Sequence, residues 1–207
     1  MSLAIQGASK LRESWEPYVD LSIVHFMIYP ETMGGAGPIL ETVSRILSDD
    51  FFSMIELAHI GDVAIRKQVA EQIETAHARV AFGAQPAILS QKLDLNSHDV
   101  SKRKEAIEKL LPLIDEAREI GAKRFTVLSG PDPGEGKRKK AAKLLVDSLI
   151  TLCSYAKEKG VSVTLETFDR TIEKRNLIGP SDEALVVAQA VKTLDTSLQL
   201  PKRYLQL

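Results

Sequence analysis

The sequence has a single cysteine, Cys153, and therefore no internal disulfide. Set among apolar residues at helical spacing, that thiol reads as a reduced, buried residue, as expected in the cytoplasm. No apolar run approaches the roughly 18 residues of a membrane span. The opening stretch, residues 1–20, reads as an extension without the long apolar segment of a secretory signal. Charge of either sign is not in excess: 27 Lys and Arg face 28 Asp and Glu, a net charge of -1. Near neutrality removes any general attraction to nucleic acid or to anionic membrane. The P-loop spacing is missing too, because Gly130, Gly134 and Gly136 in "GPDPGEGKRKK" do not match G-x-x-x-x-G-K-[ST]. What is present is 207 residues, 44% hydrophobic, enough for one sizeable core.

Five strand-like runs alternate with helical patterns: 21–29, 51–57, 79–85, 124–130 and 161–167. Between them, Ile39, Val43, Ile46 and Leu47 repeat at helical spacing, as do Ile65, Val69, Ile73 and Ala76. A longer stripe, Ile107, Leu110, Leu111, Ile114, Ala117 and Ile120, stops at Gly121 and carries Pro112, which should kink or break it. A fourth helix aligns Leu145, Leu149, Leu152 and Ala156, and a last one starts near Ser181. Such alternation predicts one domain with a parallel sheet covered by helices. Strand ends fall about 35 residues apart. At that pace an eight-unit barrel needs roughly 250 residues. Two architectures fit: a (β/α) barrel of TIM type with about five of its eight units, or a five-stranded doubly wound open sheet.

The fifth run, "VSVTLETFD", poses the chemical question. Val161, Val163 and Leu165 read as buried, and Glu166 follows directly. A buried carboxylate needs a partner, a proton or a metal. "LNSHDVSKRKEAIEKLLPLIDEAREIGAKRFTVLSGPDPG" and "VSVTLETFD", in this order, resemble the third to fifth units of the xylose isomerase-like TIM barrels, the sugar phosphate isomerase/epimerase superfamily, and the likeness runs from about Phe51 to Val191.

The resemblance implies that Glu166 is a metal ligand and acid/base at the mouth of a barrel. It also implies a divalent cofactor (Mn, Mg, Co or Zn) and proton transfer between adjacent carbons of a sugar or sugar phosphate through an ene-diolate. By the same register His25, Glu56, His59 and Gln85 would line the substrate side, with Arg170 reaching a substrate anion from the next loop. The family takes its other ligands from strands six to eight. The tail, residues 195–207, offers Asp195 but no histidine and no strand ending on glutamate, so the chain is expected to be an incomplete barrel that binds metal weakly or not at all.

Two rival functions follow from the same residues. An endonuclease IV-like phosphodiesterase would need histidines at the ends of strands three and four, where "FGAQ" and "VLSG" stand. A non-catalytic partial barrel would cover its open edges and an apolar interior by pairing with copies of itself, and a homo-oligomer is expected on that ground.

Overall fold

A computed structural model describes residues 21–194 and the short strand 198–199 of the chain. The N-terminal extension and most of the 195–207 tail, Asp195 included, lie outside the described residues.

The strands are β1 (Ser22–Val24), β2 (Met54–Leu57), β3 (Arg79–Gly83), β4 (Arg124–Leu128), β5 (Ser162–Glu166) and β6 (Leu198–Gln199). Their order in the sheet is their order in the chain, and every pairing is parallel. A doubly wound sheet reverses direction at a switch point. Sequential order without reversal is the barrel pattern, so the open-sheet alternative falls and the partial TIM-type barrel stands. The tail was expected to carry no strand; β6 pairs there with Val163 and Thr164 of β5 and begins a sixth unit.

The helices are α1 (His25–Ile28), α2 (Ile39–Leu47), α3 (Val63–Thr75), α4 (Gln85–Ser90), α5 (Val100–Glu119), α6 (Glu135–Glu158) and α7 (Ser181–Leu194). Each of the long ones exists for a local reason. Asp62 caps α3 by accepting from the N–H groups of Ala64 and Ile65, and Asp99 caps α5 through Ser101. Past the end of α5, Gly121 takes a φ of +82°, a left-handed turn that side chains resist. Pro112 does not break α5, which runs unbroken through it.

Two elements differ from the sequence reading. The run 21–29 was read as one strand, yet only three residues are extended before the chain coils into α1, with His25 and Phe26 buried and Met27 and Ile28 exposed. An apolar run without alternation has no period to separate strand from helix. Likewise Gln85, read as a strand end, opens the short helix α4, with Pro86 in its first turn.

The core lies between sheet and helices. Ile55 and Leu57 of β2, Phe82 of β3, Phe125 and Val127 of β4, and Val163 and Leu165 of β5 are buried against Val69, Ile73, Leu110, Ile114, Leu145 and Leu149. Phe82 and Phe125 stack with ring centroids 5.4 Å apart. Each such side chain contributes about 1.5–3 kcal/mol by leaving water. Cys153 is fully buried in this layer, as expected.

Because side chains alternate along a strand, the other face is fixed by the same register. It carries Glu56, Gly83, Thr126, Leu128, Thr164 and Glu166, with Gly83 level with Thr126, Thr126 with Thr164, and Leu128 with Glu166. An apolar barrel interior was expected; this one is largely polar and small. Most of the large apolar side chains of the strands went to the helices; the inner face keeps Met54, Ala81 and Leu128 beside its polar residues.

Candidate functional site

Glu56 stands one residue before the end of β2, and Glu166 is the last residue of β5. Between them lies the side chain of Gln85, at the start of α4 just past β3. Its Nε2 donates to Glu166 Oε2 at 2.7 Å and to Glu56 Oε1 at 3.2 Å. β2 and β5 are not neighbours in the sheet, so only its curvature brings these two carboxyl groups to one amide. Three residues named from sequence thus meet.

The floor beneath them is Gly83. A Cβ there would overlap Gln85 Oε1, lie 2.8 Å from Glu56 Oε1 and lie 3.1 Å from the Phe26 ring. A side chain there would have to push the Gln85 amide and the Glu56 carboxyl out of their present positions. Gln85 is only 8% exposed and its Oε1 has no hydrogen-bond partner among the described residues.

The two carboxyl groups are not equivalent. Burial, and then the negative charge of Glu166, push the Glu56 carboxyl up to about 7, against a smaller opposing effect of the Gln85 hydrogen bond. Glu56 therefore holds a proton well above the usual range for a carboxylic acid, while Glu166 accepts the shorter of the two amide bonds. A proton-holding carboxyl beside an accepting one is the arrangement of an acid/base pair.

The other named residues go elsewhere. His25 is buried beside α2, its Nε2 2.8 Å from Thr42 Oγ1 and its Nδ1 3.4 Å from Thr32 Oγ1. Burial lowers its pKa to about 4, which leaves the ring neutral. His59 turns toward α5, where its Nδ1 lies 2.7 Å from Oε2 of the buried Glu116; Glu116 Oε1 also accepts the Ile60 N–H at 2.5 Å. Arg170 is held by Glu183 of α7 and donates to the carbonyl of Leu177 at 2.6 Å. In "GPDPGEGKRKK", Asp132 takes Arg138 through both oxygens, at 2.9 and 2.7 Å, so that loop meets its own cation with its own carboxylate.

The sequence reading missed Asp94 and Asn96, which sit on the loop after α4 beside Gly130. The signal was partly available: Asn96 lies in the stretch that carried the resemblance, two residues before His98, with Asp94 just ahead of that stretch.

A divalent metal, implied by the resemblance, was tested against these side chains. Among the described residues no group of three or more His, Cys, Asp or Glu could hold one. The described residues do not by themselves form a metal site.

Comparison with known proteins agrees with the fold. The profile of a family described as xylose isomerase-like TIM barrel matches residues 48–196. No characterised protein matches by sequence. Among solved structures, a D-tagatose 3-epimerase-like protein is similar with a TM-score of 0.68 and 16% identity, over 88% of this chain and 64% of its own. The IOLI protein with a bound zinc atom gives 0.65 and 16%, over 88% and 62%. AP endonuclease, family 2, from Brucella melitensis gives 0.62 and 14%, over 79% and 62%. The chain thus spans less than two thirds of these structures, and identities this low speak for the fold alone.

Proposed function

The chain belongs to the xylose isomerase-like TIM barrel family, and we propose that its strand-end site moves a proton between adjacent carbons of a hydroxycarbonyl sugar, as an isomerase or epimerase does. The observation that carries this reading is the carboxyl–amide–carboxyl arrangement of Glu56, Gln85 and Glu166. Glu166 removes the proton from the carbon beside the carbonyl. Glu56, which holds its own proton up to about pH 7, donates a hydrogen bond to the carbonyl oxygen as negative charge builds on it. Return of the proton to the former carbonyl carbon, with the adjacent hydroxyl proton passing to the former carbonyl oxygen, completes an isomerisation; inversion instead requires Glu56 to deliver its proton to the opposite face of the first carbon. Gln85 keeps Glu166 aimed throughout.

The rival phosphodiesterase reading finds less support. Of the histidines near the strand ends, His25 is buried between two threonines and His59 is held by Glu116.

The test is proton exchange. Ketoses incubated with the protein in D2O are expected to gain deuterium at the carbon next to the carbonyl, read by NMR. Glu166→Gln should slow this by at least ~100-fold, the usual contribution of a positioned base. No exchange with any ketose, or exchange untouched by the substitution, refutes the reading. Cleavage of abasic-site DNA would replace it with the phosphodiesterase.

A further inference from the structure

The end of β4 carries a second niche built like the first. After β4 the chain passes through Ser129 to Gly130, further along the strand direction than the Thr126 level at which Gly83 sits. A Cβ on Gly130 would overlap the Asp94 carboxylate and lie 2.9 Å from Asn96 Oδ1. Asn96 is 2% exposed, and its Nδ2 donates to the Pro131 carbonyl at 3.0 Å. That bond fixes which way the amide points, so Oδ1 faces Gly130 and Asp94, and it has no hydrogen-bond partner among the described residues. Asp94 Oδ1 accepts the Asn96 N–H at 3.0 Å and has lone pairs left. Each niche is therefore a carboxyl oxygen and an orphan amide oxygen over a glycine, the first with Glu56 and Gln85, the second with Asp94 and Asn96.

We propose that the Asp94–Asn96–Gly130 niche is a second binding subsite, which takes a vicinal diol of a neutral polyol. Two acceptor oxygens side by side call for two donors, and one hydroxyl supplies a single hydrogen; adjacent hydroxyls supply both. A phosphate ester at neutral pH brings acceptors and negative charge to a carboxylate. Arg138 in the first turn of α6 is engaged by Asp132 and Arg170 on the loop after β5 by Glu183, and the charges of Lys102 and Arg103 already act on the Asp94 carboxylate. This assignment rests on the sugar reading above and narrows it to unphosphorylated substrates.

Asp94→Asn tests it without emptying the site. An asparagine keeps the acceptor for the Asn96 N–H and adds an amide hydrogen that can satisfy Asn96 Oδ1 from within. The variant should melt above the wild type, and its dissociation constant for sorbitol, measured by calorimetry, should rise about tenfold. The wild type should bind sorbitol more tightly than sorbitol 6-phosphate. Unchanged sorbitol binding in the variant, a lower melting temperature, or preference for the phosphate each overturns the subsite and leaves the proton-transfer reading standing. Failure of the wild type to bind sorbitol while ketoses still exchange deuterium does the same; failure of both removes the two readings together.

Discussion

Replacing Glu56 by glutamine should reverse part of the pH dependence of stability. In the folded chain the Glu56 carboxyl is pushed from 4.5 up to about 7. Between those values the unfolded chain releases the proton and the folded chain keeps it, so stability from this group is complete below pH 4.5 and is lost as pH rises through 7. One unit of pKa is worth about 1.4 kcal/mol, so the loss reaches roughly 3 kcal/mol by pH 8. In a chain of this size that is a fall of roughly 6–12 °C in melting temperature. Glu56→Gln preserves the acceptor for Gln85 and cannot ionise. Melts followed by circular dichroism from pH 4 to 8 should find the two proteins close together at pH 4 and the variant well ahead at pH 8. His25, held neutral by burial, acts the other way: its share of stability is present above 6.5 and is lost as pH falls toward 4. It is common to both proteins and drops out of the difference. Parallel curves over the whole range would show that Glu56 ionises normally, and the acid assigned to the site would go with it.

Three further outcomes are expected. Gly83→Ala places a methyl group on Gln85, Glu56 and Phe26 at once, so it should cost about 1–3 kcal/mol by denaturant titration and weaken deuterium exchange far more than stability alone explains. Glu116→Ala leaves the Ile60 N–H without its acceptor and His59 without its anchor, a loss of about 2 kcal/mol in the same titration, whereas exchange by the folded variant should be nearly unaffected because neither group touches the amide bridge. Among the described residues β1 and β6 are paired on one side only, so sedimentation is expected to find a dimer or larger assembly; a monomer at high concentration would contradict this.

The strand–helix alternation was legible in the sequence because burial on the helix side imposes a period, whereas the choice of barrel over open sheet came from the resemblance and was settled by the strand order. Val163 and Leu165 had to face helices, and Glu166 therefore had to face the opposite way. That much is local: side chains two apart share a face. The sequence also carried Glu56 and Gln85 as candidates, through their places next to strand ends. It could not tell that the rings of His25 and His59 bond to Thr42 and Glu116 and not to the amide bridge, because those partners are 17 and 57 positions away. Nor could it show the polar interior, which follows from which face the helices cover.

What the sequence determined by itself was the periodicity, and with it the two faces of each strand and a parallel sheet covered by helices. The meeting of Glu56, Gln85 and Glu166, the raised pKa of one carboxyl and the orphan oxygens over Gly83 and Gly130 were decided only by tertiary structure. The physical reason is distance. Gln85 and Glu166 are 81 residues apart, and nothing along the chain specifies the curvature that closes a gap between strands which do not touch.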